Sequence, residues 1–381
     1  MSLPVRPLHV GKFVPPPYAG IEAHVDTLLR ALSPQVEGTL VASQSVLQAR
    51  APVVAAPYRL IAVPSLGSLA SVAVSPGMLS AVAREFSADR ANLLHLHAPN
   101  PWGDLAALAL PRQVPVVMTW HSDVVQQKLL FKLYASVQRR ALQRVDRVIV
   151  FTPKHAESSL QLRGQGLERK LVLLPIGIDF ARLDATPHSP EVLQQIDRWA
   201  QGRPVVLTVG RHVYYKGYEY LLEAMTQLRS EAVLLMVGTG PLTRELKQRV
   251  KSLGLEPRIL FLGEVNTSTL VTAVQRCDVF TLPSIETSEA FGIASAEAMA
   301  FGKPTVVCSL NNGVNHLNRD GVTGLATPPK HTRALADAID TLVQDAAMRA
   351  RMGQAARAWV RSEFSLEAMR EGTLALYRSL L

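Results

Sequence analysis

The sequence predicts an α/β protein of two domains, each a parallel sheet with helices on both faces. Three observations carry that expectation. Short apolar runs alternate with segments of helical spacing from Leu8 to Cys308. The alternation lapses once, in a polar stretch from Asp184 to Gly202 that holds Pro187 and Pro190, and then restarts. A chain of 381 residues is also too long for one ordinary core.

Leu8–Phe13 reads as the first strand, followed by a loop over Val14–Gly20 that contains proline and glycine. Ile21, Val25, Leu28, Leu29 and Leu32 recur at helical spacing, so Ile21–Leu32 reads as a helix. Gly38–Ala42 and Tyr58–Val63 read as strands, and Leu69–Phe86 as mostly helical, broken near Pro76-Gly77. Strands follow at Asn92–His97, Val114–Thr119, Val145–Phe151 and Lys170–Leu174, with helices at Asp104–Leu110 and Lys128–Arg144. A short helix between Glu191 and Ala200 lies in the polar stretch.

After it, strands are expected at Val205–Val209, Ala232–Val237, Arg258–Leu262, Val279–Pro283 and Thr305–Cys308. Helices are expected at Gly217–Leu228, Leu242–Leu253, Thr267–Arg276, Thr332–Gln344 and Ala346–Glu363, with an alanine-rich one after Gly292 and a tail over Leu366–Leu380. The boundaries are therefore 1–180, a linker 181–203, 204–362, and a closing segment 363–381. Ligands of open α/β sheets bind beyond the carboxyl ends of strands, so a cleft between the halves is the natural site.

Composition narrows the function classes. With 48% hydrophobic and 19% charged residues, the chain builds cores and is not disordered. Cys277 and Cys308 fall beside or within apolar runs, the usual place of reduced, buried thiols. No charged start leads into an apolar signal core, and no apolar run reaches the length of a membrane span. The expectation is a cytoplasmic protein. The net charge of +9 suits anionic partners, but zinc-finger spacing, RNA-binding aromatics and a basic tail are all missing, which argues against nucleic acid.

The stretch Ser284–Pro304 concentrates the chemistry. Glu289 and Glu297 stand eight residues apart, with Phe291-Gly292-Ile293 between them at the start of a helix. Gly292 lets backbone approach a ligand, and the first N–H groups of a helix attract an anion such as a pyrophosphate. Carboxylates on either side of that anion suit sugar hydroxyls, so the stretch reads as a nucleotide-sugar site. Arg211 and Lys216, after the strand Val205–Val209, supply a planar fork and a compact charge that suit a diphosphate. Gly20 sits at the turn between the first strand and first helix.

Competing motifs are lacking: there is no GxGxxG after the first strand, no GxxxxGK[ST] loop and no GxSxG elbow. His121, beside Ser122 and Asp123 at a strand end, can donate a hydrogen bond or move a proton. His95 and His97 face one side of their strand; lining an acceptor pocket or capping a loop suits them better than a metal, for which no full ligand set is visible.

The chain resembles a retaining glycosyltransferase of the two-domain GT-B type, in the family 4 group. The resemblance rests on EAFGIASAEAMAFGKPTVV with Glu289 and Glu297, on VGRHVYYKGYEYLLEAM, MVGTGPL, FLGEV and LPIGID, and on KFVPPPYAGIEAHVDTLLRAL and TWHSDVV in the first half. It spans nearly the whole chain. It implies two Rossmann-like αβα domains facing across a cleft, with a C-terminal helix crossing back to the N-terminal domain. The donor, a nucleotide-diphosphate sugar, would be held by the second domain and the acceptor by the first.

Residue by residue, the resemblance assigns the diphosphate to Arg211, Lys216, the backbone at Phe291, Gly292 and Ile293, and Gly20. It assigns donor-sugar hydroxyls to Glu289, ribose hydroxyls to Glu297, the base to Val265, and a contact near the reacting carbon to His121. His121, Glu289, Arg211 and Lys216 would form the catalytic set; His95, His97 and Asp123 would lie on the acceptor side. No metal and no separate cofactor is implied. Ala19-Gly20 departs from the paired glycines frequent in the family. The opening loop and the HSD loop lean toward bacterial surface-polysaccharide or lipopolysaccharide enzymes that transfer mannosyl or related groups to a saccharide or lipid-linked acceptor. Other readings of the fold are a sugar-nucleotide epimerase, a phosphorylase, or a non-catalytic protein that binds nucleotide sugars or anionic surfaces. The helix Lys128–Arg144, with Lys128, Lys132, Arg139, Arg140 and Arg144, could rest on an anionic membrane surface.

Overall fold

The computed structural model describes residues 4–15, 20–44, 55–69, 72–124 and 128–381. Two compact units emerge: Met1–Gly177 with Phe364–Leu381, and Ile178–Glu363.

In chain order the first unit holds β1 (Pro7–Phe13), α1 (Gly20–Leu32), β2 (Thr39–Gln44), β3 (Arg59–Pro64), β4 (Ser68–Leu69), β5 (Val72–Ala73), α2 (Met78–Ser87), β6 (Leu93–Ala98), α3 (Pro101–Ala109), β7 (Val116–Trp120), α4 (Lys128–Arg144), β8 (Arg147–Val150), α5 (Pro153–Ser158) and β9 (Leu171–Leu173). The second holds α6 (Phe180–Ala185), α7 (Pro190–Ala200), β10 (Val205–Val209), α8 (Tyr218–Thr226), β11 (Val233–Val237), α9 (Thr243–Ser252), β12 (Ile259–Gly263), α10 (Thr267–Arg276), β13 (Val279–Leu282), α11 (Ile293–Ala300), β14 (Thr305–Cys308), α12 (Gly313–Leu317), β15 (Gly324–Thr327), α13 (Thr332–Gln344) and α14 (Ala346–Glu363). The last helix, α15 (Leu366–Arg378), belongs to the first unit, as the resemblance implies.

The first unit is built on a seven-stranded sheet in the order β3-β2-β1-β6-β7-β8-β9, with parallel pairs throughout. Strands buried on both faces explain the continuous apolar runs of the sequence. One face carries Leu8, Val10, Leu94, Leu96 and Met118, which pack against Met78, Val82, Ala106 and Leu142 of the helices. On the other face, Leu93, Val117 and Ile149 meet Leu28 and Leu32 of α1 and Met369, Leu374 and Tyr377 of α15. Each fully buried leucine contributes about 1.5–3 kcal/mol. Gly177 donates its N–H to Met369 Sδ at 3.1 Å, which ties α15 to the end of the first sheet's chain.

The second unit has a six-stranded parallel sheet in the order β12-β11-β10-β13-β14-β15. Val206, Leu234 and Met236 face Leu221, Met225 and Ile339. Val205, Leu207 and Phe280 face Ile196, Ala273 and Ala298. Residues of the polar stretch thus enter this core: α7 starts at Pro190, is capped by Ser189 Oγ accepting from Val192 N, and buries Ile196 and Ala200.

One expectation is corrected. Leu69, Val72 and Ala73 are strand residues, not helical ones: β4 and β5 pair antiparallel, with Leu66 and Val74 bonded across them. Val72 and Val74 favour extended backbone, and Pro76 disfavours helix just before it. The helix begins only at Met78.

Candidate active site

The carboxyl ends of neighbouring strands β10 and β13 bring two loops of the second unit together. Ile285 N donates to Tyr215 O at 2.8 Å. Gly217 makes this possible: it sits at φ 65°, and a side chain there would run into the Pro283 carbonyl.

Between those loops Lys216 Nζ meets Glu289 Oε2 at 2.5 Å, each side chain 11% exposed. Ser284 Oγ donates to the same oxygen at 3.0 Å, and Asn312 Nδ2 donates to the Glu289 carbonyl at 2.7 Å. Glu289 is therefore held by its side chain and its backbone. Burial pulls the Lys216 ammonium toward neutrality, but Glu289 beside it prevails and holds its pKa above the ordinary value. Desolvation pushes the Tyr218 hydroxyl up to about 12, so it stays protonated next to Lys216.

Three residues beyond Glu289, Gly292 adopts φ 86° and ψ 58° and caps α11. The first backbone bonds into the helix run from Ser295 N and Ala296 N to Gly292 O, at 2.9 and 3.2 Å. The N–H groups of Ile293 and Ala294 precede them and carry the positive end of the helix. Phe291 is buried, and Leu282 lies where a Gly292 side chain would go. Glu297 stands one turn into α11. Its residue surface is partly open, yet its carboxyl is desolvated and lifted to about 7, against a weaker opposing pull from Arg182.

Arg211 is exposed on the loop after β10 and makes no ion pair among the described residues. Val265 follows β12 and is half-buried against the core. The structure thus brings Lys216, Glu289 and the Gly292 turn into one assembly, with Arg211 on the same loop as Lys216. The sequence reading gives no role to Ser284, which only opens the stretch, or to Asn312. Their only signal is position: each follows the end of a strand adjacent to the stretch, β13 and β14.

In the first unit Gly20 is the exposed first residue of α1, with open space where a side chain would go. His121 follows β7, donates its N–H to Ala98 O at 3.0 Å, and is 7% exposed. The acceptor-side expectation for His95, His97 and Asp123 meets a different arrangement. His95 and His97 are sealed in the sheet face, with rings stacked 4.6 Å apart. Asp123 accepts from Trp120 Nε1 at 3.1 Å, Ser159 Oγ at 2.5 Å and Leu160 N at 2.8 Å, so its oxygens anchor the loop.

The sequence reading also missed His9 and His24. His9 pairs in register with His95 across β1 and β6, and His24 of α1 stands 5.0 Å ring to ring from His121. Burial holds His9 down at about 3 and His24 at about 4, and holds His95, His97 and His121 well below the ordinary histidine range. The whole group is neutral at physiological pH.

Both units match known protein families. Glycosyltransferase Family 4 matches residues 18–182, and Glycosyl transferases group 1 matches residues 191–359. O-antigen chain mannosyltransferase C of Escherichia coli is 31% identical, covering 99% of this chain and 99% of its own. D-rhamnosyltransferase WbpZ of Pseudomonas aeruginosa is 32% identical over 74% of this chain and 72% of its own. The fold matches that of Anabaena Alr3699/HepE, solved in complex with UDP and glucose, with a TM-score of 0.77 at 20% identity over 99% of this chain and 100% of that one. Full-length likeness to a mannosyltransferase, two matching family domains and two parallel sheets of GT-B type lead to one conclusion: the chain belongs to the family 4 glycosyltransferases, glycosyl transferases group 1, and is a hexosyltransferase.

Proposed function

We propose that this glycosyltransferase moves a mannosyl or closely related hexosyl group from a nucleotide-diphosphate sugar to a saccharide or lipid-linked acceptor of a bacterial surface polysaccharide. Configuration at the anomeric carbon is retained, and no metal takes part. The Lys216–Glu289 pair beside the Gly292 turn is the observation that carries this reading. The mannosyl and rhamnosyl relatives support the sugar class.

Each group has a task in this proposal. Lys216, Arg211 and the N–H groups around Gly292 stabilise the charge that develops on the leaving diphosphate, the role a metal plays elsewhere. Glu289 keeps Lys216 protonated in a half-dry site and offers its remaining oxygen to a sugar hydroxyl. Glu297 takes the ribose hydroxyls and Val265 lies against the base. Gly20 gives backbone access to the diphosphate, and His121 contacts the transferred sugar. The departing diphosphate accepts the acceptor's proton on the same face as attack, which gives retention. Anomeric analysis of the product checks that step.

A nucleotide-sugar panel tests the donor class. A nucleotide-diphosphate sugar present at a hundred times its Kd stabilises the folded chain by about 2.7 kcal/mol. GDP- and UDP-sugars should therefore raise the melting temperature, and the best of them should be consumed with an acceptor present. A panel that neither shifts melting nor turns over contradicts the proposal.

A further inference from the structure

A continuous hydrogen-bonded chain runs through the first unit, from α15 to the rim of β7. Tyr377 Oη lies 2.5 Å from His95 Nδ1 and 3.2 Å from His9 Nε2. His9 Nδ1 lies 3.0 Å from His97 Nε2, and His97 Nδ1 lies 3.1 Å from His121 Nε2. His95 Nε2 closes the other branch on Thr119 Oγ1 at 2.7 Å. Tyr377, His9, His95 and His97 are fully buried, so water does not compete for these bonds.

Such a chain has only two self-consistent proton arrangements. A neutral imidazole carries one N–H and one bare nitrogen, so fixing one ring fixes the next. The two contacts of Tyr377 choose between the arrangements. A hydroxyl bond is shorter than an N–H bond, so the 2.5 Å contact suits O–H donating to His95 Nδ1 and the 3.2 Å contact suits His9 Nε2–H donating to the phenol oxygen. His95 Nε2–H then donates to Thr119. His9 Nδ1 is bare and accepts from His97 Nε2–H, and His97 Nδ1 is bare and accepts from His121 Nε2–H.

We infer that Tyr377 sets the tautomer of His121 through His9 and His97, leaving His121 Nδ1 bare as a hydrogen-bond acceptor for a sugar hydroxyl. Tyr377 is thus a positioning residue some three rings away from the nitrogen it controls. Only the hydroxyl contact rests on the proposed role of His121; the tautomer does not. Burial keeps every ring neutral and the Tyr377 hydroxyl protonated, which the chain requires.

A metal is the competing use of the same rings, since the sets His9/His95/His97 and His24/His97/His121 each bring ring nitrogens within 4.8 Å. His97 would serve both sets, and both of its nitrogens are already in hydrogen bonds. Neither set includes a carboxylate to offset a buried dication.

Long-range 1H–15N correlation on the 15N-histidine-labelled full chain reads the tautomers directly. His9, His95, His97 and His121 should all carry the proton on Nε2 at pH 7.5. In Tyr377→Phe, His9 loses its acceptor, and His121 should become a mixture of tautomers. Donor turnover should then fall about threefold to tenfold, the worth of one hydrogen bond. A proton on His121 Nδ1 in the wild-type chain overturns the inference, as does a Tyr377→Phe spectrum with His121 unchanged. So does stoichiometric zinc uptake with loss of the ring N–H signals. A shifted tautomer with unchanged turnover overturns the sugar contact of His121 and leaves the tautomer chain standing. If Tyr377→Phe fails to fold, the wild-type spectrum still decides.

Discussion

The carboxyl of Glu297 is half protonated near neutrality because burial lifts it to about 7. Ribose hydroxyls donating to it would favour the ionised form and lower that value in the complex. Binding then releases a proton wherever the free carboxyl holds one, so affinity is full above pH 7 and declines below it. We expect the Kd for the preferred nucleotide-diphosphate sugar, whose esterified diphosphate does not titrate in this range, to weaken by about tenfold between pH 8 and pH 6. Calorimetry in buffers of different ionisation enthalpy should show proton release at pH 7, and Glu297→Gln should flatten both effects. A pH-independent Kd in the wild-type protein contradicts the ribose role. Sequence spacing alone showed the two carboxylates; it could not show their different states. Glu289 is paired with Lys216 while Glu297 is desolvated against only the weaker pull of Arg182, a distinction set by residues distant in sequence.

At the scale of elements, α11 depends on how it starts. Gly292 stands in the left-handed region, and a methyl group there would come 2.8 Å from Leu282 Cδ2. Gly292→Ala should cost about 1–3 kcal/mol of stability and move the N–H groups of the turn. Chemical denaturation and transfer assays on the variant check this; wild-type stability together with wild-type turnover contradicts it. The principal strands and helices were legible because parallel strands buried on both faces read as apolar runs between helical periods. The pieces that escaped are short: β15 has four residues, and three helices are brief and locally capped. α5 is capped by Thr152, α6 by Asp179 and α12 by Asn312, and each has six residues or fewer, too few for a helical period to show.

For the whole molecule, part of the basic excess behind the net charge of +9 lies on α4, which carries no acidic residue. Lys132, Arg139 and Arg140 are exposed, whereas Arg144 turns its guanidinium to the carbonyls of Pro111 and Val114. The Lys128 side chain lies outside the described residues. Among the described residues no helix is long and apolar enough to cross a membrane. Among the described side chains of α4, contact with anionic lipid would rest on those three exposed cations. Co-sedimentation with phosphatidylglycerol vesicles should be lost at high salt and in a Lys132→Gln, Arg139→Gln, Arg140→Gln variant; retention under both conditions contradicts the surface contact. The histidine chain belongs to this scale as well. It joins β1, β6, β7 and α15, elements up to 368 residues apart in sequence, so no local pattern could announce it. The second unit's phosphate cradle is the centre of the functional account, and steady-state transfer by Lys216→Ala and Arg211→Ala, with folding confirmed by melting, tests it most directly. We predict that each loses at least about a hundredfold in turnover, the cost of removing one charge-stabilising group; near-wild-type turnover in both folded variants would contradict it.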